Sequence, residues 1–376
     1  MSNIPKLRFP EFSGEWEEKK LGDCLTLLYG KDWKDKSSTK KLYPVLGTGG
    51  VISYIDEFIY DKPCVLIGRK GSINNPVFID KPFWTVDTQF YSEIHEGYSP
   101  KFLYYIFCTE NWSKHDESTG VPSLSAKNVE NTYKHIPSYS EQQKIADFLS
   151  NVDSIITTET KILNTLQKKK KALMQKLFTQ QLRFKSEDGT NFPAWEEKKM
   201  SDICSVNQGL QIAIENRLLE KKANCYFYIT NEFIKTGTKY KYYIENPPKN
   251  VLCTKDDILM TRTGNTGIVV TDIDGCFHNN FFKINYSRDL VIKGFLIQFF
   301  KLSTTQKRIL VLAGSSTIPD LNHKDFYSLT IQLPCKAEQQ KIADCLSSLD
   351  SLIQTQQKVV TTWQQRKKAL LQQMFI

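Results

Sequence analysis

The segment Glu141–Ile155, EQQKIADFLSNVDSI, returns almost unchanged as EQQKIADCLSSLDSL at Glu338–Leu352. From Glu141 to Glu338 the interval is 197 residues. That is far beyond the roughly 20–50 residues of a solenoid repeat and about the size of a domain with its connector. The chain therefore reads as the duplication of one large unit.

The repeat extends in both directions. KKAL at Lys170–Leu173 recurs at Lys367–Leu370, again 197 residues on. Upstream, GVPSLSAKNV (Gly120–Val129) faces TIPDLNHKDF (Thr317–Phe326), which keeps Pro122 opposite Pro319 and Lys127 opposite Lys324. VLIGRKGS (Val65–Ser72) faces ILMTRTGN (Ile258–Asn265) at an interval of 193, and WEEKKLGD at Trp16 faces WEEKKMSD at Trp195 at an interval of 179. The second copy thus carries 18 extra residues, all before its terminal segment, so one part is fixed in length and the other free to vary.

The fixed part reads as a long helix. Ile145, Leu149, Val152, Ile156, Leu163, Leu166, Leu173 and Leu177 form a heptad seam of alternating four- and three-residue steps. The second copy repeats it at Ile342, Leu346, Leu349, Ile353, Val360, Trp363, Leu370 and Met374. Even the breaks correspond, Glu159 and Lys170 in one seam and Gln356 and Lys367 in the other. No Pro or Gly interrupts Ser140–Gln181, which predicts a helix of about 38 residues and about 57 Å. Ser140 with Gln143 is a capping-box pattern at its start, although Ala337 replaces the serine in the second copy. Matched lengths and matched breaks predict that the helices at 140–181 and 337–376 pack on one another.

The variable parts, 1–139 and 182–336, read as mixed α/β domains. PCVLIGRKG, CYFYITNEFI and DDILMTRTG are short β-branched or aromatic runs, and KGFLIQFFKL reads as a buried helix. Each half opens on a similar polar tether, LRFPEFSGEW at Leu7 and LRFKSEDGTNFPAW at Leu182.

Composition narrows the function. With 40% hydrophobic and 12% aromatic residues the chain has material for real cores, and 50 Lys+Arg against 41 Asp+Glu give +9, a balance suited to a polyanionic partner. The N-terminus lacks a signal-peptide pattern, and the longest apolar run, FLYYIFC, is far short of the roughly 18 residues that span a bilayer. A soluble, cytoplasmic protein with no membrane partner is expected. The nine cysteines form no C-x2-4-C pair and read as free thiols, with no metal site.

No phosphate loop, zinc-protease, nucleophile-elbow or dinucleotide motif is present. NPPK at Asn246–Lys249 resembles the N-P-P-[YF] of amino-methyltransferases, but Lys249 cannot stack on a flipped base, so a Pro-Pro turn is the better reading. His278, Asp256 and Asp257 lack the partners of a nuclease site. No catalytic residue is assigned.

What remains suits nucleic acid. In both halves a strand ends in R-x-G: Arg69, Lys70 and Ser72 in the first, Arg262, Thr263 and Asn265 in the second. Arginine pairs bidentately with guanine or grips phosphate, and glycine permits the turn and close backbone approach. Its structural alternative is an arginine held by a local carboxylate. Lys127 and, in the other half, Asn322, His323 and Lys324 make a second candidate contact. Lys161–Lys185 has eight basic residues and no acid, a helix face that would add sequence-blind attraction to a duplex.

Two variable domains, each closed by a segment like HIPSYSEQQKIADFL or IQLPCKAEQQKIADCL and followed by a long helix, resemble the specificity subunit of type I restriction-modification systems. The resemblance covers nearly the whole chain. It implies an α+β fold: two mixed α/β target-recognition domains separated by two long antiparallel helices forming a coiled coil, in a pseudo-twofold internal repeat. Each domain would read one half of a bipartite target in double-stranded DNA. The seam helices would fix the spacing and dock two methyltransferase subunits, to which restriction subunits add. S-adenosylmethionine, ATP and Mg would belong to those partners and none to this chain. Two other readings are a stand-alone sequence-specific DNA-binding regulator and a DNA amino-methyltransferase acting through Asn246–Lys249.

Overall fold

A computed structural model describes residues 3–237, 241–314 and 317–376. The chain divides into two compact units, Met1–Ile162 with Gln356–Ile376, and Leu163–Thr355. Each long helix is therefore shared, its first part belonging to one unit and its last part to the other.

Within the first unit the strands Leu25–Tyr29, Gln89–Ile94, Cys64–Gly68 and Val77–Ile79 form an antiparallel sheet in that order. A three-stranded sheet sets Tyr43–Gly47 between Gly50–Ile55, antiparallel, and Trp84–Thr85, parallel. A ribbon pairs Glu17–Lys20 with Tyr133–Ile136. The second unit repeats the plan. Cys204–Gln208, Phe281–Tyr286, Ile258–Thr261 and Val269–Val270 make its antiparallel sheet, and Glu196–Lys199 pairs with Thr330–Leu333. Cys225–Ile229 lies antiparallel to Tyr242–Glu245 and parallel to Gly275–Phe277.

The runs read as strands are strands, with one difference. CYFYITNEFI stops being extended at Ile229, and Asn231–Thr236 is a helix whose first turn is capped by Thr230 Oγ1, accepting from Phe233 N at 3.2 Å. A Thr-Asn-Glu sequence carries a cap and an acidic first turn, and these outweigh the β propensity of the aromatic run before it. KGFLIQFFKL forms the helix Lys293–Lys301, with Phe295, Leu296, Phe299 and Phe300 buried.

The long helices span Tyr139–Phe178, 40 residues, and Lys336–Met374, 39 residues. Ser140 does not cap the first of them: the helix has begun at Tyr139, and Gln142 N donates to Ser138 O at 3.0 Å. The second begins in the same way, with Gln339 N donating to Cys335 O at 3.0 Å, so Ala337 in place of a serine costs that start nothing.

The glutamines of the repeated EQQ fix both starts. Gln142 accepts from Ser99 N at 2.9 Å and donates to Pro137 O at 3.0 Å. Gln339 accepts from Ile292 N at 2.8 Å and donates to Pro334 O at 2.8 Å. Ser99 and Ile292 are the N-caps of the short helices Pro100–Thr109 and Lys293–Lys301. One buried amide in each unit thus ties the start of the long helix to the start of the short one, with its oxygen and its NH2 group both paired.

The seam residues enter the unit cores. Ile145, Leu149 and Met374 are buried in the first unit with Leu370 packed against them, and Leu177, Ile342 and Leu346 are buried in the second with Leu173 against them. Val152, Leu163 and Val360 are also buried, whereas Ile156, Leu166, Leu349, Ile353 and Trp363 are half-covered. The breaks are polar pairs. Gln356 donates to Glu159, to its carbonyl at 3.1 Å and to Oε2 at 2.5 Å. Lys367 meets Asp153 at 2.6 Å, and Lys170 meets Asp350 at 2.6 Å.

Candidate nucleic-acid interface

In the first unit the Arg69–Ser72 turn leaves the buried strand Cys64–Gly68 and is held from two sides. Arg69 N donates to Thr88 O at 2.8 Å, Gly71 N to Pro122 O at 2.8 Å, and Leu124 N to Arg69 O at 2.9 Å. In the second unit Arg262 N donates to Asn280 O at 2.7 Å, Gly264 N to Pro319 O at 3.0 Å, and Leu321 N to Arg262 O at 2.8 Å. The two sequence features that stood apart, R-x-G and the proline loop ahead of Lys127 or Lys324, are one loop cluster, built identically in both units. Gly71 and Gly264 have φ of +83° and +84°, a region L side chains rarely adopt, so each turn requires its glycine.

The supports of these turns are themselves fixed. Asp116 Oδ1 accepts from Ser123 N at 2.9 Å, Ser118 N at 3.0 Å and Ser118 Oγ at 2.8 Å, and those bonds hold its carboxyl below the usual aspartate range. In the second unit His278 Nδ1 accepts from Asn280 N at 3.1 Å, while Asn280 O receives Arg262 N. Burial, aided by the nearby Arg217 cation, lowers the His278 pKa to about 4, which keeps the ring neutral and able to accept.

The arginines differ in what they offer. Arg69 donates to Asp87 O at 3.1 Å and its guanidinium lies 5.4 Å from the Tyr29 ring centre, with no carboxylate bound to it among the described residues. Arg262 is paired with Asp320 at 2.7 Å, donates to Leu321 O at 3.3 Å, lies over Phe282, and has a side chain only 13% exposed. Its charge is spent locally, on a neighbouring carboxylate. Thr263 also donates to Asp320. Lys70, Ser72, Lys127, Asn265 and Lys324 are exposed. Asn322 caps the helix His323–Tyr327 by accepting from Asp325 N at 2.9 Å, and His323 packs edge-on to Phe282 at 4.8 Å. Both therefore have structural work.

Asn246, in the NPPK turn, adopts φ +47° and donates from its backbone to Asn224 O at 3.1 Å, which is turn geometry. Among the described residues no cluster of three metal-ligating side chains occurs, and no helix is long and apolar enough to cross a membrane.

The residues that sequence reasoning missed are those of the tether. Arg8 donates to both oxygens of Glu141 at 2.8 Å, and Trp16 Nε1 donates to the same carboxylate at 3.3 Å. Arg183 and Trp195 repeat this on Glu338, at 2.7 Å and 2.9 Å. The signal was present as the echo of LRF and W-E-E-K-K, but nothing in it names a carboxylate 133 residues away as the partner.

Two copies of one α/β unit, each presenting the same glycine turn and proline loop and joined through shared long helices, define a duplicated recognition protein. The chain matches the family model for the type I restriction modification DNA specificity domain twice, over residues 13–168 and 194–362, and belongs to that family as a non-catalytic specificity subunit for DNA target recognition. It is 25% identical over 401 residues to the type I restriction enzyme MjaVIII specificity subunit of Methanocaldococcus jannaschii, covering 97% of this chain and 92% of that one. The putative MjaX specificity subunit of the same organism is 25% identical over 288 residues, covering 72% and 66%. The crystal structure of the type I system S subunit from M. genitalium has the same fold, with a TM-score of 0.69, 16% identity and 99% coverage of both chains. A chain from a structural study of type I system assembly and conformational transition follows, with a TM-score of 0.55, 17% identity and coverage of 95% and 96%.

Proposed function

We propose that each unit reads one half of a bipartite target in double-stranded DNA through its R-x-G turn and the proline loop packed on it. The observation that carries this reading is the loop cluster itself, one backbone design placed once in each unit with differing side chains around it. Arg69 and Lys70 in the first unit, and Thr263, Asn265 and Lys324 in the second, supply the polar contacts. Arg262 acts through Asp320, as a brace for its turn.

The recognition domains are assigned to 1–139 and 182–336, and the spacer helices to 140–181 and 337–376. Those helices form an antiparallel coiled coil about a pseudo-twofold axis, which sets the distance between the half-sites and offers two equivalent faces for two methyltransferase subunits. Restriction subunits join that complex. S-adenosylmethionine, ATP and Mg serve the partner subunits in the cytoplasm. A stand-alone regulator or an amino-methyltransferase fits less well, since neither accounts for polar seam breaks duplicated at equal spacing.

The experiment is to express the chain with its methyltransferase and map modified bases in host DNA. The expected motif is split and asymmetric. Arg69→Ala should relax one position of one half only, at about 1–3 kcal/mol of discrimination if the side chain reads a base. A continuous motif, or one unchanged by Arg69→Ala and Lys70→Ala together, would overturn the reading.

A further inference from the structure

Beside the Arg69–Ser72 turn lies a hairpin tip with one glycine, Gly49, that neither packing nor backbone strain explains. Tyr43–Gly47 and Gly50–Ile55 pair antiparallel with Gly47 opposite Gly50, so Thr48 and Gly49 form the turn. Thr48 Oγ1 is 4.0 Å from where a Cβ on Gly71 would stand, which puts the tip against the recognition turn. Gly50 has φ +112° and needs to be glycine, whereas Gly49 has no positive φ, and a Cβ built there meets nothing within 4 Å. With open space around it, Gly49 leaves its backbone bare and accessible to a close approach.

The surroundings are suited to a duplex. Val51 and Ile52, next along the strand, are each 53% exposed. Residues 30–42 carry five lysines, 31, 34, 36, 40 and 41, against Asp32 and Asp35. Asp56, two residues past Tyr54 on the hairpin, accepts from Ser37 Oγ at 2.7 Å and from Lys40 N and Lys41 N at 2.8 Å each. That pins the lysine strap to the hairpin and leaves the Lys40 and Lys41 side chains exposed. The apolar pair near the tip offers a surface for a base edge, and the exposed lysines at the other end of the hairpin offer charge for phosphates further along the duplex.

We propose that the Thr48–Gly50 tip is a specificity-determining DNA contact of the first unit, with the bare Gly49 backbone close against the groove, Ile52 on a base edge, and Lys40 and Lys41 on phosphates further along the duplex. This rests on the reading of the Arg69–Ser72 turn as DNA-facing. In the second unit the corresponding strand, Cys225–Ile229, runs instead into the helix Asn231–Thr236, where Asn231 Nδ2 donates to Thr263 O at 2.9 Å. The two units thus differ in backbone at this point and share it at the R-x-G turn, so the tip is where half-site identity diverges.

The test uses the full chain assembled with its methyltransferase and a duplex oligonucleotide carrying the motif mapped in host DNA. Gly49→Ala and Gly49→Asp should leave the melting temperature unchanged. Affinity should fall about tenfold for alanine and further for aspartate, whose charge opposes phosphate. Ile52→Ser should relax one position of the half-site that Arg69→Ala affects, and leave the other half intact. Wild-type affinity in both Gly49 variants, or a lowered melting temperature in Gly49→Ala, overturns the proposal. If Arg69→Ala weakens binding while the Gly49 variants do not, the tip alone is refuted. If none of the three has an effect, the DNA-facing reading of the turn has failed as well.

Discussion

Glu141 receives the Arg8 guanidinium on both oxygens at 2.8 Å, and the carboxylate is 2% exposed. The pair closes the tether over the start of the long helix, and Arg183 with Glu338 closes the other in the same way. This is why the repeated segment begins with Glu: its charge faces inward, toward the arginine and tryptophan of the tether, where burial without both donors would be unfavourable.

Arg8→Ala leaves Glu141 with the Trp16 donor alone. An unsatisfied, nearly buried carboxylate costs about 1–3 kcal/mol or more. We expect the first unit to melt earlier, and Glu141→Gln to be milder than Arg8→Ala, because the amide removes the buried charge and its oxygen still accepts from Trp16. Thermal unfolding of the two variants checks the order. Equal stability of both with wild type would show that the tether is not held by this pair.

His278 gives the second unit a pH dependence. Its pKa is 6.5 ordinarily and about 4 in the fold, so between these values the unfolded chain binds more protons than the folded one. The stabilisation is full above about pH 6.5, declines as pH falls below it, and is lost once the pH has passed through the folded value. Denaturant titrations from pH 7.5 to pH 4 should show the decline, and His278→Gln should flatten it, since a glutamine does not titrate.

The long helices were legible because their periodicity is local: Leu149 and Leu346 announce themselves by spacing, and both are buried. The breaks were visible but mute. Glu159 opposite Gln356, and Lys170 and Lys367 opposite aspartates, are pairs between segments distant in sequence. Likewise Gly71 and Pro122 were each singled out, yet what joins them is a backbone hydrogen bond, and backbone groups carry no sequence signal. Glu141 opens the repeated segment, but nothing in its spacing names Arg8, 133 residues away, as its partner.

The chain termini meet the first unit as the mid-chain join meets the second. Leu7 N donates to Gln373 O at 2.8 Å, and Leu182 N donates to Lys176 O at 3.1 Å. Leu7 and Leu182 open equivalent tethers, and Gln373 is the counterpart of Lys176, 197 residues on. Fusing Ile376 to Met1 and opening the chain between Thr179 and Leu182 should therefore give a folded permutant that directs methylation to the unchanged motif. Insoluble permutants at this site, alongside soluble ones opened elsewhere, would contradict the equivalence.

The last prediction concerns Met1–Gln180. This fragment keeps one recognition unit but lacks Gln356–Ile376, the segment that completes that unit's core through Leu370, Met374 and Phe375. Its own Leu173, Leu177 and Phe178 are the counterparts, so a second copy has the side chains to fill the place. Lys170 of that copy would stand where Lys367 meets Asp153, and the ion pair is kept. The pair at Glu159 is not kept: Gln356 is replaced by a second Glu159, and two carboxylates face each other where an amide once donated. The fragment should therefore self-associate weakly at neutral pH, and Glu159→Gln should tighten the dimer, as sedimentation would show. Assembled with the methyltransferase, that dimer should modify an interrupted palindrome built from the first half-site. A Glu159→Gln fragment that stays monomeric, or a dimer that still marks the asymmetric site of the full chain, would contradict the account.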